Sequence, residues 1–411
     1  LPIWEFEDGS FFVVGSKEEL AKLAVEGWED FDGQSPHRPW IDNVKIKHAD
    51  TGLIGTRILD VGNPWLDAGI VPYSTLHYND DRTYWDKWFP GDFVVESFSG
   101  QFRNWFYSLL ALSTVMEDRA PFKTLLGHGL VKDETGREMH KSWGNTIWFD
   151  DAAEEIGVDV MRWMYANQNI ENNLLFGYGP ATEVRRKLIT LWNVYSFFAT
   201  YAAIDGFSPS ISNVKNDDLT ILDQWILAKS NLLIQQAVAA FDGYRVDKFI
   251  RHFEQYLDDL SNWYIRRSRR RFWKSEDDAD KQAAYHTLYH VLLTSIKIIA
   301  PILPFMTEEI YQNLARNTDQ SSQESIHLSD YPKIDKAEID LKLIQRVDTL
   351  RKIVELGRSA RNKAELKIRQ PLAELCFHLD DNELVEFILE QQSIVLDELN
   401  VKIINWVDNS N

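Results

Sequence analysis

The sequence predicts a multidomain α/β plus all-α protein, in which a parallel α/β layer is followed by a helical bundle and then a small C-terminal α+β unit. Three observations lead there. Between Phe93 and Met164 the order is strand, helix, strand, loop, helix, the grammar of a parallel α/β layer. After about Gly179 the apolar spacing is helical almost without interruption. The 411 residues amount to roughly two to four folding units.

From Leu1 to about Asp60, short β-rich runs such as Phe11-Phe12-Val13-Val14 and Val44-Lys45-Ile46 alternate with Gly, Pro and Asp turns, with a brief helix around Glu18 to Leu23. Residues 1–63 therefore read as a connector rather than a domain. Residues 64–179 hold the α/β layer: the strand Phe93-Val94-Val95, an amphipathic helix from Gln101 to Met116, and Leu125-Leu126 leading into a Gly-containing charged loop from Gly127 to Asn145. Asp151 with Glu154 resembles a capping box opening a helix that runs to Met164. Residues 180–330 form the bundle, with helices near Pro180 to Ala203, Leu219 to Phe241, Val246 to Trp273, Asp277 to Ile299 and Thr307 to Ala315. Ser275 is placed to cap the fourth, and Pro301 to stop it. Residues 331–411 combine a helix near Leu341 to Asn362 with short strands near Glu374 to Leu379 and Val401 to Trp406. There is no internal repeat at a fixed period.

Hydrophobic residues make up 44% and charged residues 26%, which excludes a disordered or fibrous chain. The formal net charge of −19 argues against indiscriminate coating of nucleic acid but leaves room for a local basic patch. The single cysteine, Cys376, excludes disulfides and multi-cysteine zinc sites, so no zinc site is expected, and it suits a reducing compartment such as the cytoplasm. No apolar run is long enough to span a bilayer, and the acidic start lacks a signal-peptide layout. The chain also starts without Met, so it is expected to be part of something longer. No Ser-His-Asp order, paired-carboxylate motif or phosphate-binding P-loop is present.

Two constellations can carry chemistry. The first is the loop from Lys132 to Asn145, between a strand and a helix. Loops beyond the carboxyl ends of parallel strands surround ligand crevices, and a Lys beside Ser and Gly offers an ammonium and open backbone N–H groups to phosphate oxygens. Lys141 is the candidate, although on spacing alone a solvated turn is the commoner reading. His128, beside Gly127 and Gly129, is expected in the same crevice, either donating to a phosphate or orienting a neighbour. The second constellation is Asn262 to Lys274, where six of the nine residues from Arg266 onward are basic. Arg266, Arg269 and Arg270 can share a helix face, and Trp273 or Phe272 can stack a base. The alternative is a charged face paired with nearby acids such as Asp258 and Asp259.

Glu138-Met139-His140-Lys141-Ser142 followed by Trp143-Gly144-Asn145 resembles the second signature of class I aminoacyl-tRNA synthetases, KMSKS followed by xGN, with Glu138 and His140 replacing the first Lys and the first Ser. Further segments are similar to isoleucyl-tRNA synthetases. Leu1-Pro2-Ile3-Trp4-Glu5, Val14-Gly15-Ser16 and His37-Arg38-Pro39 look like the return from the editing insertion. Trp65-Leu66-Asp67-Ala68-Gly69 resembles the WFDSG segment and Gln101-Phe102-Arg103-Asn104-Trp105-Phe106 the DQxRGWF segment, with Gly100 where the family has Asp. The basic string matches WYxRRSRRRFW, and Ala300-Pro301 through Glu308-Glu309 looks like the family's anticodon-binding bundle.

The resemblance implies the second half of a Rossmann-type catalytic domain, a helical stem and anticodon bundle, and a junction domain. It implies Lys141 and Ser142 as catalytic residues. It implies ATP binding by His128, Gly129, Met139, His140 and Lys141, an amino-acid pocket with Trp65, Glu96, Gln101 and Trp105, and tRNA contact by Arg266, Arg269, Arg270 and Trp273. For Trp65 and Trp105, core packing is the alternative. The implied substrates and partners are isoleucine, ATP with Mg2+ and tRNA(Ile), with no membrane. No HIGH signature or editing domain occurs, so the expected reading is the C-terminal portion of such an enzyme, lacking its N-terminal half and inactive alone. A noncatalytic tRNA-binding paralogue is the alternative. A generic nucleotide-binding protein fused to a helical scaffold would not account for the basic string.

Overall fold

The computed structural model describes residues 1–209, 218–274 and 278–408. The chain divides into two compact units, Leu1–Gly129 and Leu130–Asn411.

The first unit opens with a sheet where a connector was expected. Five short strands pair antiparallel in the order Phe11–Val13, Ile3–Glu5, Ile54–Arg57, Lys45–Lys47, Ala24–Glu26. They enclose a core of their own, with Trp4, Phe31 and Val44 fully buried. The Trp4 indole N–H donates to the Val44 carbonyl at 2.7 Å. Two of the pairings are local hairpins, Ile3 with Val13 and Ile46 with Gly55, and the distant pairing of Trp4 with Arg57 joins them into one sheet. Beyond them, the strands Gly91–Ser97 and Phe122–His128 pair in parallel, from Gly91 opposite Phe122 to Ser97 opposite His128. The helix Trp105–Glu117 makes the crossover, as a parallel connection requires. It is shorter than the expected Gln101 to Met116, because the backbone breaks at Asn104 and leaves Phe98–Gln101 as a separate turn.

In the second unit the strand Val131–Asp133 pairs in parallel with Leu174–Phe176, so part of the segment read as loop is sheet. The helix expected with a cap at Asp151 is two helices, Phe149–Glu155 and Val158–Asn167, separated at Gly157 with φ 91°. Trp148 stands at the first N-terminus without a side-chain cap. The bundle follows: Tyr178–Asp205, Ile221–Asp242, a helical run from Val246 to Trp273, Ala279–Ile299 and Pro304–Tyr311. The third run is not uniform, because Asp259–Ile265 is a π segment. Ser275 lies outside the described residues; Asp278 caps Ala279–Ile299, accepting from the Lys281 N–H at 2.9 Å.

The C-terminal helix Leu341–Lys363 and the parallel strands Leu372–Phe377 and Val401–Trp406 stand where the sequence placed them, within two residues. Between those strands lie two helices the sequence reading missed, Asn382–Glu390 and Gln392–Leu399. A single apolar core runs from Ala152 through the bundle to Ile404. Among the described residues, no helix is long and apolar enough to cross a membrane.

Candidate functional site

Trp65, Glu96, Gln101 and Trp105 come together around one pocket of about 280 Å3, with Ala68 and Val71 completing its wall. The helix Pro64–Gly69 brings Trp65 there, and its packing on Trp105–Glu117 depends on Gly69. A Cβ at that position would stand 2.9 Å from the Ser108 backbone carbon and 2.8 Å from the Leu112 side chain. The Trp105 indole N–H donates to the Ala68 carbonyl at 3.1 Å, fixing one ring against the other helix. Both indoles are half-buried, unlike the fully buried Trp4 and Trp85, so their faces line a cavity rather than fill a core. Gln101 Oε1 accepts from the Trp105 N–H at 3.2 Å, which satisfies a helix-terminal donor and orients its amide. Glu96 accepts from the Ser97 N–H at 2.7 Å. His128 Nδ1 donates to the Gly129 carbonyl at 2.7 Å, with Nε2 4.0 Å from Glu96.

The signature loop is tied in the second unit by Asp133, Thr135 and Arg137, which the sequence reading did not single out, and by Asn145, the last residue of the segment compared with xGN. Asp133 accepts from the Thr135 N–H and hydroxyl at 3.0 and 2.7 Å and from the Arg137 N–H at 2.9 Å. The Asn145 amide donates to the Asp133 carboxylate and to the Glu138 carbonyl, both at 2.9 Å, while its oxygen accepts from the His140 N–H at 3.0 Å. The Asn145, Thr135 and Arg137 hydrogen bonds hold the Asp133 carboxyl down to about 2. Gly144, at φ 71°, makes the reversal after the turn Lys141–Trp143 that a Cβ would strain. Asp133-Glu134-Thr135-Gly136, with Asp at the start and Gly at the end, is a turn signal that was legible.

Lys141, Ser142 and His140 are exposed and Met139 is half-buried. The Lys141 ammonium lies 4.8 Å from the centre of the Trp148 ring, a cation–π contact at the helix start. The two signature departures contact each other: His140 Nε2 is 3.3 Å from the Glu138 carboxylate. His128 and Gly129 belong to the first unit and Met139 to Ser142 to the second. Among the described residues no group of three or more His, Cys, Asp or Glu side chains is placed to hold a metal.

The basic string divides by the partners its side chains meet. Arg271 and Tyr264 converge on the fully buried Asp223, at 2.8 and 2.6 Å. Burial opposes the Arg271 charge, but the hydrogen bond and charge of Asp223, with Asp280, outweigh it and lift the guanidinium above its usual range. Arg266 and Arg267 bind Glu398, and Lys274 binds Asp278 and Asp280. The acids named from the sequence are engaged elsewhere: Asp258 with Asn262, and Asp259 with Lys229 and Arg351. Arg269, Arg270 and Trp273 are exposed, and neither arginine makes an ion pair among the described residues. Arg266, grouped with them from helical spacing, is instead held by an acid.

Comparison with known proteins identifies both halves. The family described as tRNA synthetases class I (I, L, M and V) matches residues 1–176, and the anticodon-binding domain of tRNA ligase matches residues 223–376. The chain is 39% identical to an isoleucine–tRNA ligase of Clostridium novyi over 98% of its own length, and 40% identical to that of Clostridium tetani over the same share. It spans 38% of the length of each of these curated relatives. The fold is like that of the LeuRS of Agrobacterium radiobacter K84, solved in a ternary complex with tRNA and LeuAMS, at TM-score 0.59 and 16% identity, covering 82% of this chain and 41% of that one. It is also like a methionyl-tRNA synthetase of Mycobacterium tuberculosis, solved with methionyl-adenylate, at TM-score 0.51 and 18% identity, covering 71% and 58%. With both matched regions in order along one polypeptide and its relatives of a single kind, the chain belongs to the class I aminoacyl-tRNA synthetase family.

Proposed function

We propose that this chain carries the signature loop and the anticodon-binding part of an isoleucine–tRNA ligase acting in the cytoplasm. The observation that carries the reading is its similarity to isoleucine–tRNA ligases over 98% of its length. On this reading residues 1–63 return from an editing insertion, 64–179 form the second half of the catalytic domain, 180–330 the stem and anticodon bundle, and 331–411 a junction domain.

The reaction is in-line attack of the isoleucine carboxylate on the α-phosphate of ATP, presented with Mg2+ as substrate, followed by transfer of the acyl group to the terminal ribose of tRNA(Ile). The pocket between Trp65 and Trp105 takes the branched aliphatic side chain, with Glu96 and Gln101 at its polar edge. The tied loop holds the Lys141 ammonium, with Ser142, where charge develops on departing pyrophosphate, so its contribution is positioning and electrostatic stabilisation. His128, Gly129, Met139 and His140 complete the nucleotide contacts of this chain.

The remaining half of the site comes from the N-terminal segments that the longer relatives carry. The apolar surface left open on the crossover layer supports this: Val95, Leu110 and Val115 are 44%, 46% and 81% exposed. The 411-residue chain alone then gives no isoleucine-dependent ATP–pyrophosphate exchange. Joined to the N-terminal segments of the Clostridium novyi relative it gives exchange, and Lys141→Ala lowers the rate of adenylate formation far more than it weakens isoleucine binding. The contact between Glu138 and His140 favours a second reading, a noncatalytic tRNA-binding paralogue. No exchange by the joined protein would select it, whereas an adenylate rate unchanged in Lys141→Ala would remove Lys141 from the chemical step.

A further inference from the structure

Glu398 is 5% exposed and stands on the helix Gln392–Leu399, yet it gathers guanidiniums from two other helices. Arg266 approaches at 2.8 Å and Arg267 at 2.9 Å from the basic helix Arg266–Trp273, and Arg358 donates from Leu341–Lys363. Arg267 also reaches the exposed Asp397 at 2.9 Å. Arg269 and Arg270 lie one helical turn beyond Arg266 and are exposed. The patch therefore sets five guanidiniums against two carboxylates, Asp397 and Glu398. Two of the Glu398-bound arginines remain open to solvent, the Arg266 side chain at 39% and Arg358 at 46%.

Arg266 and Arg358 share a groove of about 520 Å3, in which Trp263 forms part of the wall. Elsewhere in that groove Lys352 pairs with Glu355, Lys229 and Arg351 share Asp259 and Asp348, and Asp258, which accepts from the Asn262 amide, adds a carboxylate without an ion pair among the described residues. Positive charge is in local excess only at the end where Arg266 and Arg358 meet over the single carboxylate of Glu398. A buried carboxylate that binds three guanidiniums neutralises one and fixes the position of all three, which lowers the ordering cost of a later anion contact.

We propose that Arg358 extends the RNA-binding strip from Arg269 and Arg270 across Arg266 onto the helix Leu341–Lys363, and that Glu398 is the residue that positions it. The ligand class is the phosphodiester backbone of RNA. The proposal rests on the RNA-binding reading given above and adds a second helix to the contact. Sequence proximity to the basic string would not find it, because Arg358 is 92 positions after Arg266, on a helix whose basic residues Arg351, Lys352, Arg358, Arg361 and Lys363 are spread out rather than clustered in one run.

The test measures the affinity of the 411-residue chain for an isoleucine tRNA transcript across a salt series. Arg358→Gln is expected to weaken binding roughly fivefold and to make the salt dependence shallower by about one ion, with Arg358→Lys restoring most of that slope. Glu398→Gln is expected to weaken binding although it adds positive charge, while tighter binding would show that Glu398 merely neutralises and would overturn its positioning role. Should Glu398→Gln fail to fold, Arg358→Gln decides. Unchanged affinity and slope in Arg358→Gln, with Arg269→Gln/Arg270→Gln weakened, overturns the extension and leaves RNA binding standing. No effect in any variant removes both.

Discussion

The Asn145 amide donates to the Asp133 carboxylate and to the Glu138 carbonyl, each at 2.9 Å, so one side chain ties the start of the signature loop to its end. The Lys141 turn lies between these anchors.

Replacing Asn145 with Ala is therefore expected to speed amide hydrogen exchange from Arg137 to Gly144 while leaving the bundle's protection unchanged, as read by exchange mass spectrometry. The Asp133 titration should move up from about 2 toward the ordinary carboxylate range. In the parent chain the folded-state value is depressed, so the tie is fully present above about pH 4 and is lost as pH falls through about 2. A loop that loosens between pH 7 and 5 would contradict this assignment.

Gly69 sets the distance between the helices that carry Trp65 and Trp105. Gly69→Ala would put a methyl group against the Ser108 backbone, and is expected to destabilise the first unit by about 1–3 kcal/mol. It should also shift the fluorescence of the indoles toward a wetter environment. Retention of both stability and spectrum would mean that the helices are not in close contact.

The arginines of one short string should differ sharply. Arg271→Leu leaves Asp223 buried without its guanidinium and is expected to cost about 3–5 kcal/mol, whereas Arg269→Leu should change stability by less than about 0.5 kcal/mol. Chemical denaturation of the two variants measures this. Equal losses would mean that Arg269 also has a buried partner.

The same string shows what was legible in the sequence and why the rest was not. The density of positive charge was plain, as were the helices on either side, because both are properties of neighbouring residues. Its division into buried and open arginines was not. Arg266, Arg269 and Arg270 do share a face of the α-helix Arg266–Trp273, but helical spacing does not report which of them meets an acid from another helix. The acids that hold Arg266 and Arg271 lie 132 and 48 positions away, beyond any local pattern. The pocket residues came from resemblance to family segments, and their shared cavity depends on a helix approach at Gly69 that periodicity does not report. In the first sheet the runs at Phe11–Val14 and Val44–Ile46 were legible as β, but the pairing of Trp4 with Arg57 that joins them into one sheet was not, because the partners are far apart in sequence. The two helices between Phe377 and Val401, of nine and eight residues, are too short to give a strong helical period.

The central claim, that the helical part of this chain recognises isoleucine tRNA, is tested most directly by binding of the 411-residue protein to an isoleucine tRNA transcript and to the same transcript with its anticodon changed. The account predicts that the anticodon change weakens binding, that affinity falls as salt rises, and that Arg269→Gln/Arg270→Gln lowers affinity for the native transcript with the circular dichroism spectrum intact. Equal affinity for both transcripts, unaffected by the arginine changes, would contradict it and leave the basic helix as a solvated face.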